Sequence, residues 1–296
     1  MSTSSREVLG TGLSGLVGSR VVELNPEYNF SDLSLDTGID ILNSGQLETA
    51  FKMFSGDTVL HLAAFTDTNA AWDQKEDKTG MCYQLNVIGT QNIVDLCKKY
   101  NKYLVYISTD FVFDGTKKGK YTEEDTPNPI EWYGQTKFES EKIAGSIDAT
   151  IIRIAFPYRA KFDIKTDLVR KIISKLSSGE VCKLFEDQIT TPTFVDDIAL
   201  GLIKVIDDPK PGIYHLVGSS SQSIYQLGHL ITRVFNFDPD LVEASSLTEY
   251  LQTPAARPYA PNLALSNEKF ISEFGFKPRT LTEGLEELKK QLSLPL

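Results

Sequence analysis

Two stretches, Val59-Leu60-His61-Leu62-Ala63-Ala64 and Leu104-Val105-Tyr106-Ile107-Ser108, are apolar at nearly every position. A strand with one face in water alternates apolar and polar residues, because successive side chains point to opposite sides. An unbroken apolar run needs protein on both faces, the situation of parallel sheets covered by helices. Tyr28–Leu33, Thr150–Ala155 and Gly212–Val217 read as further strands, with Glu7-Val8-Leu9 as a short first one. Between them, 14–24, 81–100 and 132–145 read as helices; in the second, Leu85, Ile88, Val94 and Leu96 fall on helical spacing. This alternation predicts an α/β fold with right-handed crossovers and a doubly wound parallel sheet. Past Ala155 the pattern loosens: Phe156–Phe162 reads as an extended loop, and Pro192–Asp208 as a loop entering a helix. Further helices are predicted over 164–178, 223–235 and 281–291.

The first strand runs into Gly10-Thr11-Gly12-Leu13-Ser14-Gly15-Leu16-Val17-Gly18, which contains Gly10-x-Gly12-x-x-Gly15. Glycines there permit a tight strand-to-helix turn and close approach of backbone amides to a pyrophosphate. A plain turn is the alternative, but the position between a strand and a helix is the one dinucleotide binding requires. The sheet is therefore read as Rossmann-like, with Gly18 serving helix–sheet packing. An acid some twenty residues on would accept hydrogen bonds from the adenosine ribose. Asp32 and Asp36 both qualify, and Asp36, taken as the strand end, would repel a 2′-phosphate. No arginine follows this strand, so the expected cofactor is NADPH or NADH. Residues 1–155 are read as the NAD(P)-binding domain, rejoined by parts of 190–218, and 156–296 mainly as a smaller C-terminal substrate lobe.

Charge narrows the partners. The 296 residues carry a net charge of −10, which disfavours a nucleic-acid backbone. The small cluster Lys117, Lys118 and Lys120 faces Glu123, Glu124 and Asp125 and reads as a solvated loop. No apolar run has the length of a membrane span and residues 1–9 have no signal-peptide core, so a soluble, cytoplasmic protein is expected. Cys82, Cys97 and Cys182 have no ligand spacing, and His61 and His215 read as satisfied core histidines; no metal is expected.

Tyr133 and Lys137 form the one Tyr-x-x-x-Lys in the chain. At i and i+4 they share a helical face, where the ammonium is expected to favour the phenolate and ready the tyrosine for proton exchange. With the glycine turn and Ser108-Thr109-Asp110, the spacing reads as a nicotinamide-dependent oxidoreductase.

Several strings carry a closer likeness: Leu62-Ala63-Ala64-Phe65-Thr66-Asp67, Leu85-Asn86-Val87-Ile88-Gly89-Thr90, Ser108-Thr109-Asp110-Phe111-Val112-Phe113-Asp114-Gly115, Pro127-Asn128-Pro129 and Asp187–Phe194. With Tyr133-x-x-x-Lys137 they make the chain resemble the extended short-chain dehydrogenase/reductases, and among these the dTDP-4-dehydrorhamnose reductases. The resemblance covers residues 8 to 200 well and the tail loosely, through Ala256-Arg257-Pro258. It implies a reductase of a nucleotide-activated 4-keto-6-deoxy sugar. Thr109 would hydrogen-bond the carbonyl, Tyr133 would deliver the proton, and Lys137 would hold the nicotinamide ribose. Gly12, Leu13, Ser14, Gly15, Leu16, Asp36, Asp40, Ile41, Ala63, Ala64, Thr66 and Asn86 would meet the cofactor. Asp110, Phe111 and Arg257 would meet the substrate, a surface salt bridge being the alternative for Arg257. Homodimers are common in the superfamily.

Two departures bear on structure. Gly10 stands where the family commonly has an apolar residue, which is expected to cut the first strand short. Pro157-Tyr158-Arg159 replaces the usual Val-Tyr-Gly and is expected to line the sugar pocket. The rival functions are a nucleotide-sugar epimerase or dehydratase and a regulatory role like that of the methionine adenosyltransferase subunit. Dehydration calls for an acid–base pair beside the threonine, and no glutamate follows Asp110.

Overall fold

Neighbouring residues of each buried strand enter different cores, as unbroken apolar runs require. The computed structural model describes residues 6–254 and 256–293. Its main sheet is built from β1 (Arg6–Thr11), β2 (Tyr28–Leu33), β3 (Thr58–His61), β4 (Tyr103–Thr109), β5 (Ala149–Ile154) and β6 (Gly212–His215). They lie in the order β2-β1-β3-β4-β5-β6, and every pairing is parallel. The longer helices are α1 (Gly18–Leu24), α2 (Ser44–Met53), α3 (Gly89–Tyr100), α4 (Trp132–Ala144), α5 (Leu168–Ser177), α6 (Val195–Asp207), α7 (Ile224–Phe235) and α8 (Leu281–Ser293).

Val8, Leu60, Val105 and Ile152 face one core with α1 and α6. Leu9, Val59, Leu104 and Ile151 face the other with α2, α3 and α4. Arg20 of α1 forks onto Asp196 of α6, Nε to Oδ1 at 2.6 Å and Nη2 to Oδ2 at 2.8 Å. Residues 212–215 thus return to the sheet beside β5, while α5, α7 and α8 form a third core with a parallel strand pair, Cys182–Phe185 and Val242–Ser245.

The first strand is not cut short at Gly10. It continues to Thr11, pairing Gly10 with Asp32 and Leu60, and the missing side chain makes room for Leu13 folding back onto the strand. The following helix begins at Gly18 rather than at residue 14, because 13–17 are turns. Gly18 packs on the glycine turn itself: a Cβ there would lie 2.3 Å from the Gly12 carbonyl oxygen. Residues 81–100 are not one helix. A π turn, Gln84–Ile88, interrupts them, and the Asn86 carbonyl accepts the Thr90 and Ser140 hydroxyls at 2.6 and 2.5 Å.

The ends of β1 and β3 are joined by a buried polar chain. His61 Nδ1 meets Thr11 Oγ1 at 2.6 Å and its Nε2 meets Thr90 Oγ1 at 3.1 Å. Burial, and secondarily the Lys137 charge, push His61 down to about 3. His215 likewise bonds the Ser266 carbonyl at 3.1 Å in the core.

A histidine whose folded value lies below its unfolded value stabilises the fold fully above the unfolded value, about 6.5, and loses that contribution as pH falls toward the folded one. His61→Asn is therefore expected to lose about 1–2 kcal/mol less stability than the parent between pH 7 and 5. Urea unfolding at the two pH values measures the difference; equal losses would remove His61 from the balance.

Candidate active site

Thr109 is the last residue of β4 and caps a 3-10 turn, Asp110–Val112. Its hydroxyl accepts the Phe111 N–H at 3.3 Å and donates to Asp110 Oδ1 at 2.9 Å. Tyr133 comes from the first turn of α4, and Gly134 lets that helix close on the 3-10 turn. A Cβ at Gly134 would sit 2.2 Å from the Phe111 carbonyl oxygen, so any larger residue would push the tyrosine off the threonine. The Phe111 ring meets Tyr133 edge-on at 5.7 Å and stacks on Phe156 at 6.2 Å. Phe156 holds a φ of 39°, a left-handed conformation rare for a non-glycine residue and one that collects at functional sites.

Lys137 is turned into the sheet. Its ammonium donates to the Ile107 carbonyl at 2.7 Å and lies 4.3 Å from the Tyr106 ring centre, spending its charge inside the sheet. Burial pushes Lys137 down to about 7. Burial, then the Asp110 charge, hold the Tyr133 phenol above its ordinary value, and hydrogen bonding to Thr109 works against both. The phenol is thus kept protonated, as a proton donor requires.

Two carboxyls share this site. Asp110 and Glu131 are 1% and 2% exposed, and burial raises each to about 7. Glu131 stands at the N-cap of α4 without capping it, and neither of its oxygens has a hydrogen-bond donor. Arg257 Nη1 lies 3.8 Å from Glu131 Oε2, an ion pair too long for a hydrogen bond. Arg257 Nη2 donates to Thr68 Oγ1 at 3.0 Å and to the Tyr259 hydroxyl at 2.6 Å, while its Nε and Nη1 are buried without acceptors. Arg257 is therefore no surface salt bridge. Sequence reasoning missed Glu131; the available signal was a glutamate where Ser, Thr, Asp or Asn is the usual cap.

The cofactor candidates gather where the strand order reverses, between β1 and β3, the place where open α/β sheets bind ligands. Gly12 has a φ of +68°, and a Cβ on it would lie 2.7 Å from the Ala63 nitrogen. The Ala63 N–H donates to Thr11 Oγ1 at 3.1 Å, fixing the loop that carries Ala64 and Thr66. Leu13 is buried, so Gly12, Leu13, Ser14, Gly15 and Leu16 offer mainly backbone. Asp40 accepts the Leu42 N–H at 2.9 Å, and the adjoining Ile41 is packed against Gly89.

Four residues sit otherwise than expected. Asp36 is not at the strand end; β2 stops at Leu33, and Asp36 is exposed in a 3-10 turn. Asp32 is the last residue but one of β2; its Oδ1 is buried and unpartnered, and the residue borders a groove of about 590 Å³ that includes none of the Tyr133 cluster. Asn86 is buried and its amide is engaged, accepting the Phe65 N–H at 2.7 Å and donating to Thr136 Oγ1 at 2.9 Å, so it positions the loop rather than facing a ligand. Arg159 does not line a sugar pocket. It turns to α1, donating to the Leu16 carbonyl at 3.1 Å and to Ser19 Oγ at 2.8 Å, and pairing with Glu23 at 3.0 Å; Tyr158 is buried in the third core.

Known proteins resemble this chain along nearly its whole length. The chain is 30% identical to the probable low-salt glycan biosynthesis reductase Agl14 of Haloferax volcanii, over 96% of this chain and 97% of that one. It is 28% identical to a dTDP-4-dehydrorhamnose reductase of Aggregatibacter actinomycetemcomitans, over 95% and 98%. The crystal structure of dTDP-4-dehydrorhamnose reductase from Bacillus anthracis in complex with NADP superposes with a TM-score of 0.85 at 27% identity, covering 97% of this chain and 99% of that one. Residues 6–294 match the family described as RmlD substrate binding domain, and the chain belongs to that family.

Proposed function

We propose that this NAD(P)-dependent oxidoreductase reduces the 4-keto group of a nucleotide-activated 6-deoxy sugar. The supporting observation is the meeting of Thr109 and Tyr133 at the end of β4, with the phenol kept protonated by burial. Gly12, in the left-handed region and touching the Ala63 backbone, keeps the turn after β1 tight and free of side chain, which suits close approach of backbone amides to a dinucleotide pyrophosphate. When bound, the nicotinamide supplies the hydride. Backbone of residues 12–16 would hold the pyrophosphate, Asp40, Ile41 and Asp32 or Asp36 the adenosine, and Ala63, Ala64 and Thr66 the nicotinamide side. Lys137 would hold the ribose, as the family resemblance implies.

Tyr133 donates its proton to the ketone oxygen while the Thr109 hydroxyl polarises the same atom. Acid catalysis of this kind contributes about 10²–10⁴-fold, and fixed orientation much of the rest. Phe111 and Asp110 flank the sugar, and Arg257, with two buried donor nitrogens unspent, suits an anionic or hydroxyl-rich partner. In this reading the substrate lobe comprises mainly 156–296, and the chain works as a soluble homodimer. Among the described residues no helix is long and apolar enough to cross a membrane.

The test is oxidation of NADH and of NADPH, separately, by the purified protein with dTDP-4-keto-6-deoxy-L-mannose. Turnover with either supports the reading; cofactor binding without ketone reduction would transfer support to the epimerase, dehydratase or regulatory alternatives. Tyr133→Phe is expected to lower kcat by roughly 10² or more while cofactor binding, read by fluorescence, changes little. Near-normal kcat would remove Tyr133 from the chemistry. Gly12→Val, strained at its φ of +68° and crowding Ala63, is expected to weaken cofactor binding by roughly tenfold or more in the same titration.

A further inference from the structure

Arg257 and Glu131 stop short of each other, and the cause lies on the arginine side. Its Nη2 donates to Thr68 Oγ1 at 3.0 Å and to the Tyr259 hydroxyl at 2.6 Å, and the guanidinium lies 4.4 Å from the Tyr259 ring centre. Pinned at that edge, it leaves Nη1 3.8 Å from Glu131 Oε2, about 1 Å beyond a charge-assisted hydrogen bond. Opposite charges buried together gain by closing that distance. Thr68 and Tyr259 therefore hold the gap open.

Four polar atoms of this pair are buried without a hydrogen-bond partner: Arg257 Nε and Nη1, and Glu131 Oε1 and Oε2. Unmet groups of this kind are costly and point to a partner from outside the chain. Geometry and charge define that partner. One oxygen about 2.8 Å from each group fits a pair 3.8 Å apart. It has to accept from the guanidinium and donate to the carboxyl, which an alcohol does and a ketone does not. A diphosphate has no hydrogen to give at neutral pH and would bring like charge onto the carboxyl. Arg257, with its side chain 11% exposed against 3% for Glu131, is the outer member of the pair. It stands on residues 256–260, which form neither helix nor strand, and is the group that yields as a sugar enters.

We infer that Glu131 and Arg257 together read an alcohol of the hexose, Glu131 as acceptor and Arg257 as donor, and that this alcohol is on C3, beside the ketone carbon. Glu131 stands two residues before Tyr133 at the start of α4, and its charge acts on the Tyr133 phenol. With Tyr133 and Thr109 on the ketone oxygen, the C3 alcohol is the nearest polar group of the sugar. Glu131 is then a specificity residue, and Arg257 recognises a neutral hydroxyl rather than the diphosphate. The inference rests on the reductase reading above.

The experiment compares kcat/KM for dTDP-4-keto-6-deoxy-L-mannose and its 3-deoxy and 2-deoxy analogues. The enzymes are the parent, Glu131→Gln and Glu131→Leu, with cofactor binding by fluorescence confirming each fold. The parent is expected to lose roughly 10²-fold or more on the 3-deoxy compound, because both buried groups are left unmet. Glu131→Leu is expected to lose a similar factor on the full substrate and to separate it from the 3-deoxy compound by less than about threefold. Glu131→Gln, which keeps a carbonyl acceptor, is expected to retain part of the discrimination. A loss confined to the 2-deoxy compound and erased in Glu131→Leu supports the pair with the C2 alcohol as its partner. A parent that reduces all three compounds within about threefold overturns the inference and leaves the reductase reading standing. Glu131→Leu slowing all three equally does the same, as a pair that only braces the tail would. So does Glu131→Gln working better on all three, as an arginine reserved for the diphosphate would. If neither variant binds cofactor, the parent's ranking of the three compounds decides. No reduction of any compound by the parent overturns the reductase reading itself, and the inference with it.

Discussion

The hydrogen-bonded chain from Thr11 through His61 to Thr90 fixes the one place in the sheet where the strand order reverses. It joins the ends of β1 and β3 and ties both to α3. The same Thr11 oxygen takes the Ala63 N–H, so the loop after β3 is set against the glycine turn with no side chain between them. A neutral, doubly bonded imidazole can do this in a dry core; a charged one would carry an uncompensated desolvation cost. The cleft's geometry is therefore inherited from a buried network rather than from the loops that line it.

A second network carries the order from the sheet to the chemistry. Asn86, on the π turn before α3, clasps the Phe65 backbone and the Thr136 hydroxyl of α4, while its own carbonyl takes Ser140. Gly134 completes the docking by letting α4 reach the Phe111 carbonyl. Tyr133 and Thr109, far apart in the chain, meet because two backbones can touch. The polar site atoms left without partners, on Asp110, Glu131 and Arg257, all lie beyond this scaffold. Buried groups of that kind cost about 1–3 kcal/mol each when unmet, so their retention is an argument for a ligand rather than for stability.

The layered fold was legible because unbroken apolar strands and amphipathic helices have few arrangements, and Tyr28–Leu33 was readable to the residue. The catalytic candidates were legible as strings. What remained hidden depended on three-dimensional direction. Helical spacing put Lys137 beside Tyr133, but no spacing rule shows that its ammonium turns inward to Ile107. Arg159 sits next to the expected pocket in sequence and points away from it. Glu131 carried no motif, and its place beside Asp110 arises from the docking of α4 on the 3-10 turn. Asp36 was counted forward from the glycines, a distance that cannot report where β2 stops.

Arg159 has one more implication. Its guanidinium reads the Leu16 carbonyl and Ser19 of the glycine-turn segment from the far side of the chain, and Arg20 answers from that segment to Asp196. The first eighty residues and the last hundred and forty therefore hold each other's shape through charged contacts specific to these positions. They are not independent modules. A chimera taking its N-terminal half from another protein would keep the braces only if that half supplied Ser19, Arg20 and Glu23 in the same places, so a crossover that keeps residues 16–23 with 159–196 preserves them.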